Sequence, residues 1–166
     1  MDIDGDGKPD FVQFDGEEGA EDPAIGVSRW HVYKNTGAGF ATTPTSWSIP
    51  YPADYLANSS HSVLDIDSDG KVDFVQVDSE ENASGTEIGS TAWHVYRNTG
   101  NGFEATRVRW QIPYPAPSLA NAFHSVMDMD GDRDVDFIEY DGEADENDPA
   151  TGKTSWNLYR NRCQAD

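Results

Sequence analysis

Apolar and polar residues alternate along residues 72–77 (VDFVQV) and 93–97 (WHVYR), with β-branched and aromatic side chains on one face. A period of two predicts β-strands. Related runs occupy residues 11–14 and 137–140, and residues 30–33 and 156–159. Asn35-Thr36-Gly37 and Asn98-Thr99-Gly100, leading to Gly39-Phe40 and Gly102-Phe103, interrupt the pattern as hairpin turns do. Pro50, Pro52, Pro113 and Pro115 confine their segments to edges or loops, because proline has no N–H to give a ladder. No 3.6-residue period outlasts a turn, and residues 53–58 and 118–123 have room for one short helical turn each. The expectation is an all-β chain.

These segments recur at a fixed interval of 63 residues. Trp30-His31-Val32-Tyr33 is matched by Trp93-His94-Val95-Tyr96 and Trp156-Asn157-Leu158-Tyr159, and Trp47-Ser48-Ile49-Pro50-Tyr51-Pro52 by Trp110-Gln111-Ile112-Pro113-Tyr114-Pro115. So dense a set of ungapped matches marks a duplicated structural unit. The division is repeat 1 over 1–63, repeat 2 over 64–126 and an incomplete repeat 3 over 127–166, with about four short strands per repeat. Met1 aligns with Leu64 and Met127, and Asp166 with Phe40 and Phe103. The array thus reads as cut within a repeat at both ends. It is expected to be part of a longer repeat chain, or a unit whose edges a neighbouring chain completes.

Composition narrows the class. Nineteen aromatic residues among 166 exclude an acidic disordered chain. The net charge of −20 opposes compaction unless cations neutralise it. With only 11 Lys and Arg, the chain is a poor partner for nucleic acid and for anionic membrane surfaces. No stretch is apolar enough to span a bilayer, and no signal peptide is visible. Cys163 is the single cysteine, so there is no disulfide framework and no thiolate metal cluster.

The charge has a pattern. DIDGDGKPD from Asp2, DIDSDGKVD from Asp65 and DMDGDRDVD from Asp128 place carboxylates at loop positions 1, 3, 5 and 9. That spacing wraps a short loop around one hard cation. An EF-hand would carry a bidentate Glu at position twelve, between helices. Here that position is Gln13, Gln76 or Glu139, inside an expected strand. The ligands expected are therefore Asp2, Asp4, Asp6, the Lys8 carbonyl and Asp10 in the first loop. The second uses Asp65, Asp67, Asp69, the Lys71 carbonyl and Asp73. The third uses Asp128, Asp130, Asp132, the Asp134 carbonyl and Asp136. Five or more oxygens from a flexible loop suit Ca2+ better than Mg2+. Position 6 calls for a positive φ, which Gly7 and Gly70 supply at little cost and Arg133 at roughly 1 kcal/mol, and Asp134 adds another negative charge nearby, so the third of about three calcium sites is expected to be the weakest. The acidic segments 15–22, 78–82 and 141–148 have irregular spacing and read as charged hairpin tips.

Trp30, Trp93 and Trp156, with Tyr33, Tyr96 and Tyr159, sit in alternating strands and are expected in the core. Trp47, Tyr51, Trp110 and Tyr114, around Pro-Tyr-Pro, are the candidates for exposed ligand-binding aromatics. His31, His61, His94 and His124 recur with the repeat, so no polar constellation is unique to one place. An enzyme needs one asymmetric site. The chain is expected not to be an enzyme.

The aspartate loop, the aromatic strand and the N-T-G-x-G-F turn together resemble the FG-GAP or VCBS repeat family, the calcium-bearing blades of integrin alpha-chain propellers and of many bacterial secreted, adhesin-like and toxin-associated proteins. The resemblance implies tandem four-stranded antiparallel blades of β-propeller type, each calcium loop joining the first two strands. His61-Ser62-Val63-Leu64 and His124-Ser125-Val126-Met127 would then be first strands. It implies a calcium-binding extracellular or cell-surface module, of bacterial secreted type, with a structural or protein–protein role. Two alternatives stand beside it: a carbohydrate-binding propeller, and a homo-oligomer that completes its open repeat with a neighbouring chain.

Overall fold

The computed structural model describes residues 1–16, 22–58, 60–78, 87–140 and 150–161. Among these residues all regular structure is β, with no helix. The first sheet has order β1-β2-β3, from Phe11–Gln13, Arg29–Tyr33 and Thr45–Ser48. The second has order β4-β5-β6-β7, from His61–Leu64, Asp73–Gln76, Ala92–Tyr96 and Val108–Gln111. The third has order β8-β9-β10, from His124–Met127, Asp136–Glu139 and Asn157–Tyr159. All pairings are antiparallel between chain neighbours. Register repeats with the sequence: Trp30 faces Trp47 across β2 and β3, and Trp93 faces Trp110 across β6 and β7.

The sheets meet through two cores with corresponding members. The first joins Ile3, Trp30, Val32, Trp47 and Ile49 of the first repeat to Phe74, Tyr96 and Phe103 of the second. Trp30 lies 5.8 Å from Phe74 and 5.7 Å from Phe103, ring centre to ring centre. The second core joins Ile66, Trp93, Val95 and Ile112 to Phe137, with Trp93 and Phe137 5.9 Å apart. Such tilted and edge-on aromatic pairs add about 0.5–1.5 kcal/mol each beyond their buried area. The middle sheet is thus covered on both sides. Its strands β5 and β6 are buried at every position, whereas β2 keeps an alternating exposure. Alternation also persists in the edge strand β7 of the middle sheet, whereas β9, central in the third sheet, is buried throughout.

The single helical turns expected at residues 53–58 and 118–123 do not form. Their carbonyls are taken by side chains instead. The Trp30 indole N–H donates to Ala53 O at 2.7 Å, and Trp93 donates at the same distance to Ala116 O, just before the second segment. His61 Nε2 pairs with Tyr55 O at 3.0 Å, and His124 Nε2 with Ser118 O at 2.8 Å. Asn58 and Asn121 then turn the chain into β4 and β8, their side-chain oxygens accepting from the His61 and His124 amides at 3.0 Å.

Candidate metal centres

Each complete aspartate loop joins two neighbouring antiparallel strands, residues 65–72 linking β4 to β5 and residues 128–135 linking β8 to β9. The loops fold on their own carboxylates. At position 1, Asp2 accepts from the amides of Gly5, Asp6 and Gly7 at 2.8–3.1 Å. Asp65 accepts from Gly70 at 3.0 Å, and Asp128 from Gly131 and Arg133 at 2.7 and 3.1 Å. At position 5, Asp6, Asp69 and Asp132 each accept from the amide of position 7 (Lys8, Lys71 and Asp134) at 2.9 Å.

Position 9 is the anchor. Asp10, Asp73 and Asp136 are buried, each at the join of loop and strand. One carboxylate oxygen of each accepts from the amide of Asn35, Asn98 or Asn161, at 2.8, 2.8 and 3.1 Å. The other faces the loop, where Asp10 and Asp136 also take the amides of Ile3 and Met129.

The carboxylates converge in every copy. Oxygens of Asp2, Asp4 and Asp6, of Asp65, Asp67 and Asp73, and of Asp128, Asp130 and Asp136 lie within 4.8 Å of one another. Asp10 falls outside the first of these groups, and Asp69 and Asp132 outside the other two. In the second loop Asp67 Oδ1 is buried with no donor, while Asp65 Oδ1 and Asp73 Oδ2 have at most marginal contacts with the Ser68 and Ile66 amides. Buried carboxylate oxygens are normally satisfied, so a cation fits this donor set. Burial pushes the Asp73 carboxyl up from 3.8 to about 7, and burial also raises Asp65. Without a counter-charge the folded loop resists ionising the groups it has gathered.

A cationic side chain also reaches each loop, which the spacing of the aspartates does not reveal. Lys34 Nζ pairs with Asp4 at 2.8 Å, Arg97 Nε with Asp67 at 3.1 Å and Arg160 Nε with Asp130 at 3.2 Å. All three follow the aromatic strand and stand 63 residues apart. Each orients the position-3 carboxylate by one oxygen. Lys8 and Lys71 pair with Asp6 and Asp69, which hold their pKa above the ordinary lysine value, as Asp4 does that of Lys34.

The asparagine of the N-T-G turn ties consecutive loops together. Asn98 Nδ2 donates to Val72 O at 2.8 Å in its own repeat and to Ile3 O at 2.7 Å in the one before. Asn161 Nδ2 reaches Ile66 O at 3.2 Å in the same way. Ser68 Oγ donates to Arg133 O at 2.7 Å, linking the second and third loops directly. Asn98→Ala strands two carbonyls at once, an expected loss of about 1–3 kcal/mol in denaturant unfolding. Asn35→Ala, which breaks an exposed bond to Pro9 O, is expected to cost less.

Backbone strain is distributed more evenly than glycine spacing suggests. Position 6 has φ 86° at Gly7, 88° at Gly70 and 82° at Arg133, as its loop role requires. Position 4 is left-handed too, at Gly5, Ser68 and Gly131. The second and third loops therefore each hold one side chain in a conformation that costs roughly 1 kcal/mol. Arg133→Gly is expected to raise the melting temperature by a few degrees, read by calorimetry, because it relieves roughly 1 kcal/mol of that strain.

Of the aromatic candidates for ligand binding, Trp47 is not exposed as expected. Trp47 is fully buried between the first and second repeats, against Phe103 at 6.5 Å. Tyr51 and Tyr114 pack edge-on against Phe74 and Phe137, each at 5.1 Å. Trp110 is half-buried and lines a cavity of about 320 Å³ with Trp93, Ile112 and Phe137. Pro-Tyr-Pro places its tyrosine inward, because the prolines hold an extended segment across the core. The histidines are structural in the same sense. His61 and His124 are buried and stacked on Phe74 and Phe137 at 4.9 and 5.0 Å, and His31 and His94 pair with Asp22 and Glu87. Cys163 and most of the acidic segments at 15–22, 78–82 and 141–148 lie outside the described residues.

Residues 2–76 match a family model described as an FG-GAP-like repeat, a span that covers the first aspartate loop, the first sheet, the second loop and β5. No curated protein and no solved structure gives a significant match to the chain. Residues 2–76 are thus similar to an FG-GAP-type repeat, and the same loop, aromatic strand and turn recur beyond them at the 63-residue interval.

Proposed function

We propose that the chain is a calcium-stabilised β-repeat module with propeller-type blades, serving a structural or protein–protein interaction role outside the cell. The observation that carries this reading is the second loop, where Asp65, Asp67 and Asp73 turn poorly satisfied, buried oxygens toward one another. Asp65, Asp67, Asp69, Asp73 and the Lys71 carbonyl would hold the ion there, with the repeat-equivalent residues doing so in the other loops. Bound calcium supplies two positive charges where the chain concentrates its negative ones, and three ions would bring the net charge from −20 to −14. Affinities of extracellular calcium modules lie near the millimolar level found outside cells, which would keep the loops filled. This agrees with a staple that is always present and is the support for an extracellular setting.

A sugar-binding reading is less well supported, since Trp47, Tyr51 and Tyr114 are used in packing. Polar groups that recur with the repeat are likewise bonded to backbone or to each other, in keeping with a non-catalytic repeat module. Calorimetric titration tests the proposal: about three calcium ions per chain, and one fewer in Asp65→Ala, are expected. Heats indistinguishable from dilution would overturn it.

A further inference from the structure

We propose that Ser68 is a positioning residue that couples the second and third calcium loops, so that filling one strengthens binding at the other. The proposal rests on the calcium reading above and adds how two of its sites act on each other. Among the described residues, Ser68 and Arg133 are the two non-glycine residues with positive φ, at 61° and 82°. They meet: Ser68 Oγ donates to Arg133 O at 2.7 Å, from one loop to the next. Backbone strain of this kind persists only where the surrounding structure fixes it, and it gathers at ligand clamps and switch segments.

The contact leads from ligand to ligand. The Ser68 amide makes its marginal contact with Asp65, the position-1 carboxylate of its own loop. The Arg133 amide donates to Asp128, the position-1 carboxylate of the third loop, at 3.1 Å. A second link joins the same two loops. Asn161 N–H donates to the position-9 carboxylate of Asp136 at 3.1 Å, while its Nδ2 reaches the carbonyl of Ile66, between Asp65 and Asp67. The first and second loops share only the asparagine link, through Asn98 and Ile3. Their positions 4 and 6 also approach, and a β-carbon on Gly5 would lie 3.3 Å from Gly70 O. Gly5 has no hydroxyl to donate, and Lys71 Cγ, 2.7 Å from that same point, leaves no room for one.

An ion that fixes Asp128 also holds Arg133 and the acceptor of Ser68. The second loop then has less order left to gain when its own ion binds, which is positive coupling. Charge does not cancel this gain. In the second loop four aspartates balance calcium, Lys71 and Arg97 together, so a filled loop does not repel the next ion.

Calcium titrations followed by the NMR signal of the Gly70 amide, which bonds Asp65 at 3.0 Å, test this by reading the second loop alone. Asp128→Ala disables the third loop and is expected to weaken calcium binding at the second by about fivefold or more, as for coupled sites. In an Arg133→Gly chain the same loss is expected, because glycine relieves the strain but keeps the acceptor carbonyl. A Ser68→Gly chain relieves strain too but loses the donor. There Asp128→Ala should change the second loop's affinity by no more than about twofold, as for independent sites. With every ligand in place, the wild-type curve should be steeper than a single-site isotherm and the Ser68→Gly curve should not. A Gly70 titration indifferent to Asp128→Ala, or weakened equally with and without Ser68, overturns the coupling alone. A Gly70 amide that never responds to calcium overturns the calcium reading along with it.

Discussion

Chelating calcium is expected to lower the melting temperature by roughly 15–30 °C, the largest effect on this protein. An ion that binds only the folded chain stabilises it by about 2.7 kcal/mol at a hundredfold excess over Kd. Three loops together would contribute about 8 kcal/mol, comparable to the whole stability of a typical domain at 5–15 kcal/mol. For a chain of this length each kcal/mol moves the midpoint about 2–4 °C. The geometry places that energy between repeats as well as within them. Asn98 and Asn161 bond the loop of the preceding repeat, and Ser68 bonds the following one, so a loop that loosens releases its neighbours. Differential scanning calorimetry with and without chelator reads the shift.

Asp73→Asn is expected to change sign with calcium. With the ion present it removes a ligand and costs up to about 2.7 kcal/mol, the value of one site at hundredfold excess. Asn98 keeps its acceptor, because the amide oxygen can replace the carboxylate oxygen that takes its N–H. In the calcium-free protein above pH 7 the same substitution is expected to raise the melting temperature, since burial makes the charged form unfavourable. The pH dependence follows from that raised pKa. Between 3.8 and about 7 the unfolded chain gives up a proton that folded Asp73 retains, so calcium-free stability falls as pH rises through this window. Calcium must displace the same proton, and its stabilising effect grows over the same range. Melting temperatures of both chains at pH 5 and pH 8, with and without calcium, give all the comparisons. An Asp73→Asn chain less stable than wild type without calcium at pH 8 would contradict this view of the site.

Much of the fold was legible because the repeat wrote it more than once. A strand pattern seen in residues 72–77 and again in 11–14 and 137–140 reports a structural unit, and the aspartate loops fall where those strands require connections. What escaped was set by long-range contacts. Trp47 beside two prolines reads as exposed, yet the second repeat lays Phe103 over it. Residues 53–58 fit a helical turn by composition, but Trp30 and His61 take the carbonyls that a helix would use. The left-handed Ser68 was hidden because its repeat equivalents, Gly5 and Gly131, tolerate that conformation freely. Lys34, Arg97 and Arg160 carried a signal, a cation just beyond each aromatic strand, but nothing local tied them to a loop some 30 residues earlier.

The central claim is that one calcium ion sits in each aspartate loop and holds the sheets together. Crystals grown in calcium, with anomalous scattering measured at a long wavelength, test it most directly. The result expected is one anomalous peak per loop, at about 2.3–2.6 Å from its carboxylate oxygens, including Asp65, Asp67 and Asp73 of the second. Loops that keep this fold in calcium yet hold no peak would contradict it.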